Sequence, residues 1–204
     1  MSSISSNSTL DKEKALDQLK LEMKKTWPEE NLVFGEGNVN ARLAFVGEAP
    51  GREEEAQGRV FVGLAGRLLN QVLADVSLNR AELWLTNGVK WRTTELRRGR
   101  SFSRGPNPGE VRANKVWLER ELEVVKPDVV LCLGELAARE VIGNSFRMRS
   151  QHGLWYRGLW GVEALATFHP SYILRWGRRE QLITWLREDI LRVKSKYDEF
   201  NSTC

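Results

Sequence analysis

Four short apolar runs constrain the fold of this chain more than any other feature. They are rich in β-branched and aromatic residues and occupy Leu43–Gly47, Glu82–Thr86, Asp128–Leu133 and Ala164–Phe168. Each run is largely continuous rather than alternating, which is typical of strands that are covered on both faces. We therefore expect these runs to form the centre of a buried sheet.

Helical patterns flank and separate the four runs. They cover residues 11–27, 63–76, 108–125 and 178–193. In the last of these, Leu182, Leu186 and Ile190 recur every four residues, as expected for one apolar helix face. Helices that alternate with buried strands predict right-handed crossovers. The sequence thus predicts an α/β fold, a three-layer αβα sandwich around a central, mostly parallel sheet of about four strands.

The length of the chain, 204 residues, suits one domain of this kind. We expect a single domain over residues 1–204, with loose ends at 1–9 and 198–204. No apolar run is long enough to span a bilayer. The N-terminus lacks the apolar core of a signal peptide, so we expect a cytoplasmic protein without membrane contact.

The cysteines and histidines argue against a metal site. The chain has two of each, and Cys132 lies within the apolar run DVVLCLG, as a small buried residue would. Cys204 is the last residue, so no disulfide framework and no CxxC pair is available. We expect no metal.

Positive charge is concentrated in two segments. The net charge is only +4, but Arg97, Arg98, Arg100 and Arg104 cluster in the long predicted loop Arg97–Pro108. A second cluster, formed by Arg175, Arg178 and Arg179, follows the FHPSY segment. Basic loops often do no more than face solvent. Because both clusters flank other informative segments, we expect contacts to phosphate.

Polar side chains follow three of the predicted strands. Glu48 follows the first strand, Asn87 the second and His169 the fourth. Each has a simpler explanation, as a turn cap, as turn chemistry or as a structural histidine. In open α/β sheets, however, ligands bind beyond the carboxyl ends of the strands. Three such residues at three strand ends predict a shared site.

The side chains of this set fit the excision of a nucleic-acid base. An amide such as Asn87 can read a base edge, and an aromatic such as Phe61 can stack on it. A carboxylate can hold a water, and an imidazole can stabilise charge on a leaving group. The sequence has no nucleophile elbow and no P-loop. Together with basic loops, this set is what removal of a flipped base requires.

Four segments resemble one known family. The motifs GEAPG and FVG at 47–63, TNGVK at 86–90 and HPSYILR at 169–175, with the KPDVVLCLG run between, resemble the family 4 uracil-DNA glycosylases. The resemblance covers roughly residues 30 to 195, with the motifs in the same order. It implies a monofunctional DNA repair enzyme that releases uracil and leaves an abasic site.

The resemblance also implies roles for individual residues. Glu48 would activate the attacking water, and His169 would stabilise negative charge at uracil O2. Phe61 would stack on the flipped uracil, and Asn87 would bind its O4 and N3 edge. Ala49, within GEAPG, is assigned to the uracil contact.

Further residues are assigned by the same resemblance. Glu54 would lie beside C5 of the base, where it could exclude the methyl group of thymine. The segment with Ser171, Leu174 and Arg175 would enter the minor groove, and Leu174 or Arg175 would fill the gap left by the flipped base. Simple packing is the alternative for Leu174. The partner is uracil-containing DNA, single- or double-stranded, and we expect a monomer associated with the nucleoid.

Two departures from the family pattern matter. The family carries a four-iron four-sulfur cluster on four cysteines, but Trp91 and Asn114 stand at two of those positions and no other cysteine replaces them. We therefore expect no cofactor, with Trp91 filling the vacated volume. Ser103 stands where a uracil-trapping relative has a histidine, which favours turnover by water. His152 stands where the family usually has arginine, and this substitution has no explanation.

Other functions remain open at this point. One is a glycosylase that also accepts hypoxanthine or xanthine. Another is a catalytically inactive DNA-binding module of the same fold, although such a module needs only the basic loops. A nucleotide-binding α/β protein is disfavoured because Glu48 would repel phosphate.

Overall fold

The computed structural model describes residues 3–176 and 179–202. Its helices are α1 Ser3–Thr26, α2 Arg52–Gln57, α3 Leu64–Asp75, α4 Pro108–Val125, α5 Glu135–Val141, α6 Met148–Gln151, α7 Pro170–Arg175 and α8 Arg179–Ser202. Its strands are β1 Glu36–Gly37, β2 Leu43–Gly47, β3 Trp84–Asn87, β4 Thr94–Arg97, β5 Arg100–Ser103, β6 Val129–Leu133, β7 Trp155–Arg157 and β8 Glu163–Thr167. Within these described ranges, no helix is both long and apolar enough to cross a membrane.

The central sheet has six strands in the order β1-β3-β2-β6-β8-β7. The four inner strands are parallel, and they are the four predicted from the sequence. The edge strands β1 and β7 run antiparallel to their neighbours. At two and three residues they are too short to leave a period-2 pattern in the sequence. The predicted sheet of about four parallel strands is therefore its inner part.

Two apolar cores cover the two faces of the sheet. On β2, Leu43 and Phe45 pack into one core with α3 and α8, while Ala44 and Val46 pack into the other with α4 and α5. Successive side chains of a strand point to opposite faces, so a strand covered on both sides must be apolar throughout. This confirms the three-layer sandwich and explains the continuous runs.

Two segments for which the sequence predicted no helix or strand are structured. The predicted loop Arg97–Pro108 begins with the hairpin β4–β5, whose turn residues Arg98 and Gly99 have φ of 51° and 74°. Positive φ at both positions is the signature of a tight hairpin turn. The SYILR segment forms most of helix α7. Neither element is long enough to show a clear period in the sequence.

The terminal segments predicted to be loose continue the outer helices. Residues 3–9 begin α1, and residues 198–202 end α8. Residues 1–2 and 203–204 lie outside the described residues. The expectation that these ends are loose stays a prediction, because the terminal turns of a helix can fray.

A tryptophan cluster joins α1 to the body of the protein. It contains Trp27, Trp91 and Trp117 with Leu19 and Met23, and the rings of Trp27 and Trp91 are 5.1 Å apart. Trp91 is 6% exposed. Trp91 is therefore buried in an apolar cluster with two other tryptophans, and its filling of a vacated cluster site stays a prediction.

Replacing Trp91 should test how much this cluster stabilises the fold. We expect Trp91→Ala to lower the free energy of unfolding by about 3–5 kcal/mol, since the substitution leaves a large cavity. Trp160→Ala is the matched control, because Trp160 is 49% exposed and its loss should cost no more than about 0.5 kcal/mol. Chemical denaturation measures both, and equal effects of the two substitutions would contradict the packing described here.

Candidate active site

The site is built where β2 and β3 end. Their register pairs Gly47 with Asn87. Beyond the strands, the N–H of Gly88 donates to the carbonyl of Gly47 at 2.9 Å, and the N–H of Val89 donates to that of Glu48 at 3.0 Å. These bonds extend the ladder past the sheet. They hold Glu48 and Asn87 next to each other, as the parallel register predicts.

A cavity of about 420 Å³ opens at this edge of the sheet. Its walls include nine of the residues predicted from the sequence, namely Glu48, Ala49, Glu54, Phe61, Asn87, Arg104, His169, Ser171 and Arg175. The acid, the amide and the imidazole therefore share one cavity. Ser103 also lines it, so the hairpin strand β5 contributes to the wall.

Gly47 brings the amide and the aromatic ring together. A Cβ at this position would lie 2.4 Å from Oδ1 of Asn87 and 2.6 Å from Cζ of Phe61. Any side chain here would therefore push one of them aside. The lack of a side chain at Gly47 lets Asn87 and Phe61 meet at one wall of the cavity.

Phe61 is held in an unfavourable backbone conformation. Its φ is 52°, in the left-handed region, and its side chain is buried. Gly66 of α3 lies directly against its carbonyl, where a Cβ would come within 1.8 Å of the oxygen. Arg80 donates to the carbonyl of Val60 at 2.8 Å. Such strain persists only where the surroundings enforce it, as they do at many functional sites.

His169 is a neutral imidazole with a defined tautomer. It caps α7, and the N–H of Ser171 donates to Nδ1 at 3.0 Å. Because Nδ1 accepts this bond, the ring proton resides on Nε2. Burial, together with the nearby Arg175 guanidinium, lowers the pKa of His169 to about 4. At neutral pH the side chain is therefore an uncharged N–H donor.

Glu48 is a partly buried carboxylate near the same arginine. Burial raises its pKa above the ordinary value, and the positive charge of Arg175 opposes that shift. Gly105, just beyond the hairpin, lies close to this carboxylate. A Cβ built on Gly105 would be 3.4 Å from Oε1 of Glu48. Desolvation makes this group a stronger proton acceptor than an exposed carboxylate once it is ionised.

Glu54 connects two motifs. Its Oε1 accepts a hydrogen bond from the N–H of Gly63 at 2.8 Å, and its Oε2 lies 2.6 Å from where a Cβ of Gly51 would be. The carboxylate thus joins the GEAPG turn to the FVG turn. Contact with C5 of the base stays a prediction, although Glu54 does line the cavity.

Five predicted DNA contacts lie elsewhere or are already engaged. Arg97, Arg98 and Arg100 are exposed at the hairpin turn and do not line the cavity. Leu174 packs against the apolar core, in line with its simpler explanation. Although Arg104 lines the cavity, its guanidinium is tied to both carboxylate oxygens of Glu110, at 2.8 and 2.7 Å.

The predicted second basic cluster is described only in part. Arg175 is exposed and donates to the carbonyl of Ser171 at 3.1 Å. Arg178 and the side chain of Arg179 lie outside the described residues. Arg175 is thus the member of this cluster that the structure places at the cavity.

Comparison with known proteins shows the family of this chain. The model of the uracil DNA glycosylase superfamily matches residues 34–192. The chain belongs to this superfamily. A Type-4 uracil-DNA glycosylase of Thermotoga maritima is 37% identical over 166 residues, which are 81% of this chain and 82% of that protein.

Other members of the superfamily are similar over much of the chain. A Type-4 uracil-DNA glycosylase of Archaeoglobus fulgidus is 38% identical over 152 residues, or 71% of this chain and 72% of that protein. A Type-5 uracil-DNA glycosylase of Pyrobaculum aerophilum is 31% identical over 152 residues, or 66% and 63%. The sequence resemblance to the superfamily is confirmed.

The iron–sulfur cluster implied by the family 4 resemblance does not fit this chain. Trp91 is packed in the tryptophan cluster, and the buried amide of Asn114 accepts from the N–H of Lys90 and donates to the carbonyl of Glu110. Cys132 is buried in β6. Within the described ranges, no group of three or more His, Cys, Asp or Glu side chains is arranged to hold a metal ion.

Sequence reasoning missed a set of buried charges behind the site. Lys90 forms a close ion pair with Glu121, and Thr86 also donates to that carboxylate. Glu140 of α5 lies against Gly88, and neither of its carboxylate oxygens has a hydrogen-bond partner among the described residues. No spacing in the sequence points to this group, because its members come from the end of β3 and the segment after it, from α4 and from α5.

The pKa of Glu140 makes stability depend on pH. Burial raises that pKa from 4.5 to about 8, with Lys90 opposing the shift and Glu48 adding to it. Between these values the folded chain keeps a proton that the unfolded chain loses. Its contribution to stability is therefore fully present below pH 4.5 and is lost as pH rises to about 8.

Glu140→Gln should remove this pH dependence. We expect the free energy of unfolding of the unaltered chain to fall between pH 5 and 8 relative to the variant, by up to about 1.4 kcal/mol per pH unit. Glu123→Gln is the control, since Glu123 is exposed and should leave the slope unchanged. Parallel slopes for the unaltered chain and Glu140→Gln, measured by denaturation at several pH values, would show that Glu140 is ionised in the fold.

Proposed function

We propose that this chain removes uracil from DNA by hydrolysing the N-glycosidic bond of a flipped deoxyuridine. The observation that carries the proposal is the meeting of Glu48, Asn87 and His169 with Phe61 around one cavity at the sheet edge. Names of the Type-4 relatives support the same activity. An abasic site and free uracil would be the products.

Recognition of the base would use the cavity wall where Phe61 and Asn87 meet beside Gly47. The ring of Phe61 offers a face on which a flipped base can stack, and the amide of Asn87 offers a donor and an acceptor to its edge. Base flipping costs a few kcal/mol, which is less for a mispaired or unpaired base. Thymine would meet Glu54 near its methyl group, so the proposal includes discrimination against thymine.

The chemistry would follow from the protonation states of the two catalytic groups. As the bond from N1 to C1′ breaks, its electron pair moves onto uracil, and the Nε2–H of His169 donates to O2. A water held by Glu48 attacks C1′ and passes its proton to the carboxylate. A neutral donor suits this step, because it stabilises the developing anion without first having to acquire a proton.

The proposed reaction stops at the abasic site. Cleavage of the strand by a glycosylase that forms a Schiff base needs an amine in the cavity. None of the described residues that line the cavity is a lysine. Lys90 lies close in sequence but is buried in its ion pair with Glu121. The enzyme would therefore be monofunctional.

DNA would approach over α7 and the hairpin. Arg175 and Ser171 stand at the cavity mouth, and the exposed turn with Arg97, Arg98 and Arg100 would reach phosphates further along the strand. Because Leu174 packs on the core, Arg175 is the better candidate to occupy the gap left by the flipped base.

The test is an excision assay on defined oligonucleotides. Substrates carry U:G, U:A, single-stranded U, hypoxanthine or xanthine, and alkali then cleaves at abasic sites. We expect product from uracil substrates, with Asn87→Ala and His169→Ala each slower by about 100-fold or more, since each loses a donor to the leaving base. Strand cleavage without alkali would contradict monofunctional action.

Matched variants separate chemistry from folding. Asn40→Ala alters an exposed asparagine, and His152→Ala alters the other histidine, which does not line the cavity. Both should keep near-normal rates. Absence of product on every substrate would support an inactive DNA-binding module, whereas product mainly from hypoxanthine or xanthine would support the broader glycosylase.

A further inference from the structure

A second cleft continues from the catalytic cavity. It has a volume of about 520 Å³ and shares Glu48, His169, Ser171 and Arg175 with the cavity. Its remaining wall comes from α5, α6 and α7. A DNA strand that places one nucleotide in the cavity and runs on over α7 would bring a neighbouring nucleotide to this shared rim.

A ladder of aromatic rings leads from the core to the surface beside this cleft. Phe168, Tyr172 and Trp176 follow each other at a spacing of four, with ring centroids 5.8 and 5.6 Å apart and planes within 24° and 27°. Trp185 of α8 stacks on Phe168 from inside, at 5.6 Å and 22°. Tyr172 is 38% exposed, and Trp176 is 59% exposed.

Packing does not explain the outer end of this ladder. A tryptophan more than half exposed leaves most of its apolar surface in water, at a site where a polar residue would be more favourable. The near-parallel, offset rings resemble the arrangement of stacked bases. An additional flat ring could extend the stack on the open side of Trp176.

The charges at the cleft suit a nucleic-acid backbone. Arg149 is exposed and has no ion-pair partner among the described residues. Within the same part of the chain, the hydrogen bonds of Arg175 go only to Ser171. The acidic Glu135 is paired with Arg139 and accepts from the N–H of Met148. Two guanidinium groups are thus left to bind phosphate beside an aromatic surface.

We propose that Tyr172 and Trp176 form a stacking platform for an unpaired base next to the deoxyuridine, with Arg149 on its phosphates. In a single strand, where no duplex stack has a gap to fill, Arg175 binds these phosphates as well. An aromatic surface with basic side chains is the usual way in which proteins bind single-stranded DNA without reading sequence. The assignment builds on the proposed function and adds a preference. Single-stranded uracil, whose neighbours are free to stack on the platform, is favoured over uracil in a duplex.

The test measures binding and excision separately, with the full chain. Binding uses a fluorescent single-stranded oligonucleotide without uracil, and a duplex of the same sequence. We expect Tyr172→Ala and Trp176→Ala to weaken single-strand binding about 5- to 150-fold, the range for loss of one base–aromatic stack. Binding of the duplex should weaken by less than about 3-fold, because its bases are paired and cannot stack on the platform.

Conservative and distant variants complete the design. Tyr172→Phe and Trp176→Phe keep a ring and should bind within about 3-fold of the unaltered chain, since stacking tolerates any π-face. Trp160→Ala removes a tryptophan that is 49% exposed and lines a different groove, and it should have no effect. Equal losses on single strand and duplex, unchanged binding, or equal losses with Trp160→Ala would overturn the platform.

Excision kinetics then distinguish this inference from the proposed function. With uracil substrates, the alanine variants should lose kcat/KM on single strands by the factor seen in binding and keep it on duplexes. If the chain excises no uracil while its single-strand binding still depends on Tyr172 and Trp176, the platform stands and the proposed function fails. If excision is normal and neither alanine variant weakens single-strand binding, the platform is refuted and the proposed function stands.

Discussion

The site depends on a missing side chain. Gly47 ends β2 at the point where the amide of Asn87 and the ring of Phe61 both approach its Cα, and a Cβ there would come within 2.4 and 2.6 Å of them. The β2–β3 register and the two hydrogen bonds beyond it fix Asn87 at this distance. The strained backbone of Phe61 and the contact with Gly66 fix the ring. The sheet, the turn at Phe61 and helix α3 thus all position groups around Gly47.

Burial then sets the chemistry of the side chains that line the cavity. It raises the pKa of Glu48 and lowers that of His169, and the same Arg175 guanidinium acts on both groups. The helix cap at α7 fixes the imidazole tautomer. An acid, a neutral N–H donor and a cation at one cavity suit the proposed hydrolysis of an N-glycosidic bond.

Much of this arrangement follows from the sequence, for a physical reason. Strands covered on both faces must be apolar throughout, and their carboxyl ends share one edge, so Glu48, Asn87 and His169 could be placed together from strand positions alone. The edge strands, the β4–β5 hairpin and α7 were missed because each is too short to show a period. Glu140 and its neighbours were missed because their contact exists only in three dimensions.

The two positions where the family 4 resemblance implies cysteine show the same limit of sequence reasoning. From the sequence, Trp91 and Asn114 only exclude a set of thiolate ligands. The structure shows what stands there, with Trp91 in the tryptophan cluster that anchors α1 and Asn114 in hydrogen bonds to Lys90 and Glu110. Packing and hydrogen bonds thus hold together a region that lies behind the cavity and contributes no side chain to the proposed reaction.

A crystal structure of the protein with free uracil tests the central claim most directly. The account predicts one base in the cavity, stacked on Phe61, with its edge at the amide of Asn87 and its O2 within hydrogen-bond distance of Nε2 of His169. Uracil bound outside this cavity, or bound inside it with Asn87 and His169 both turned away from the base, would contradict it.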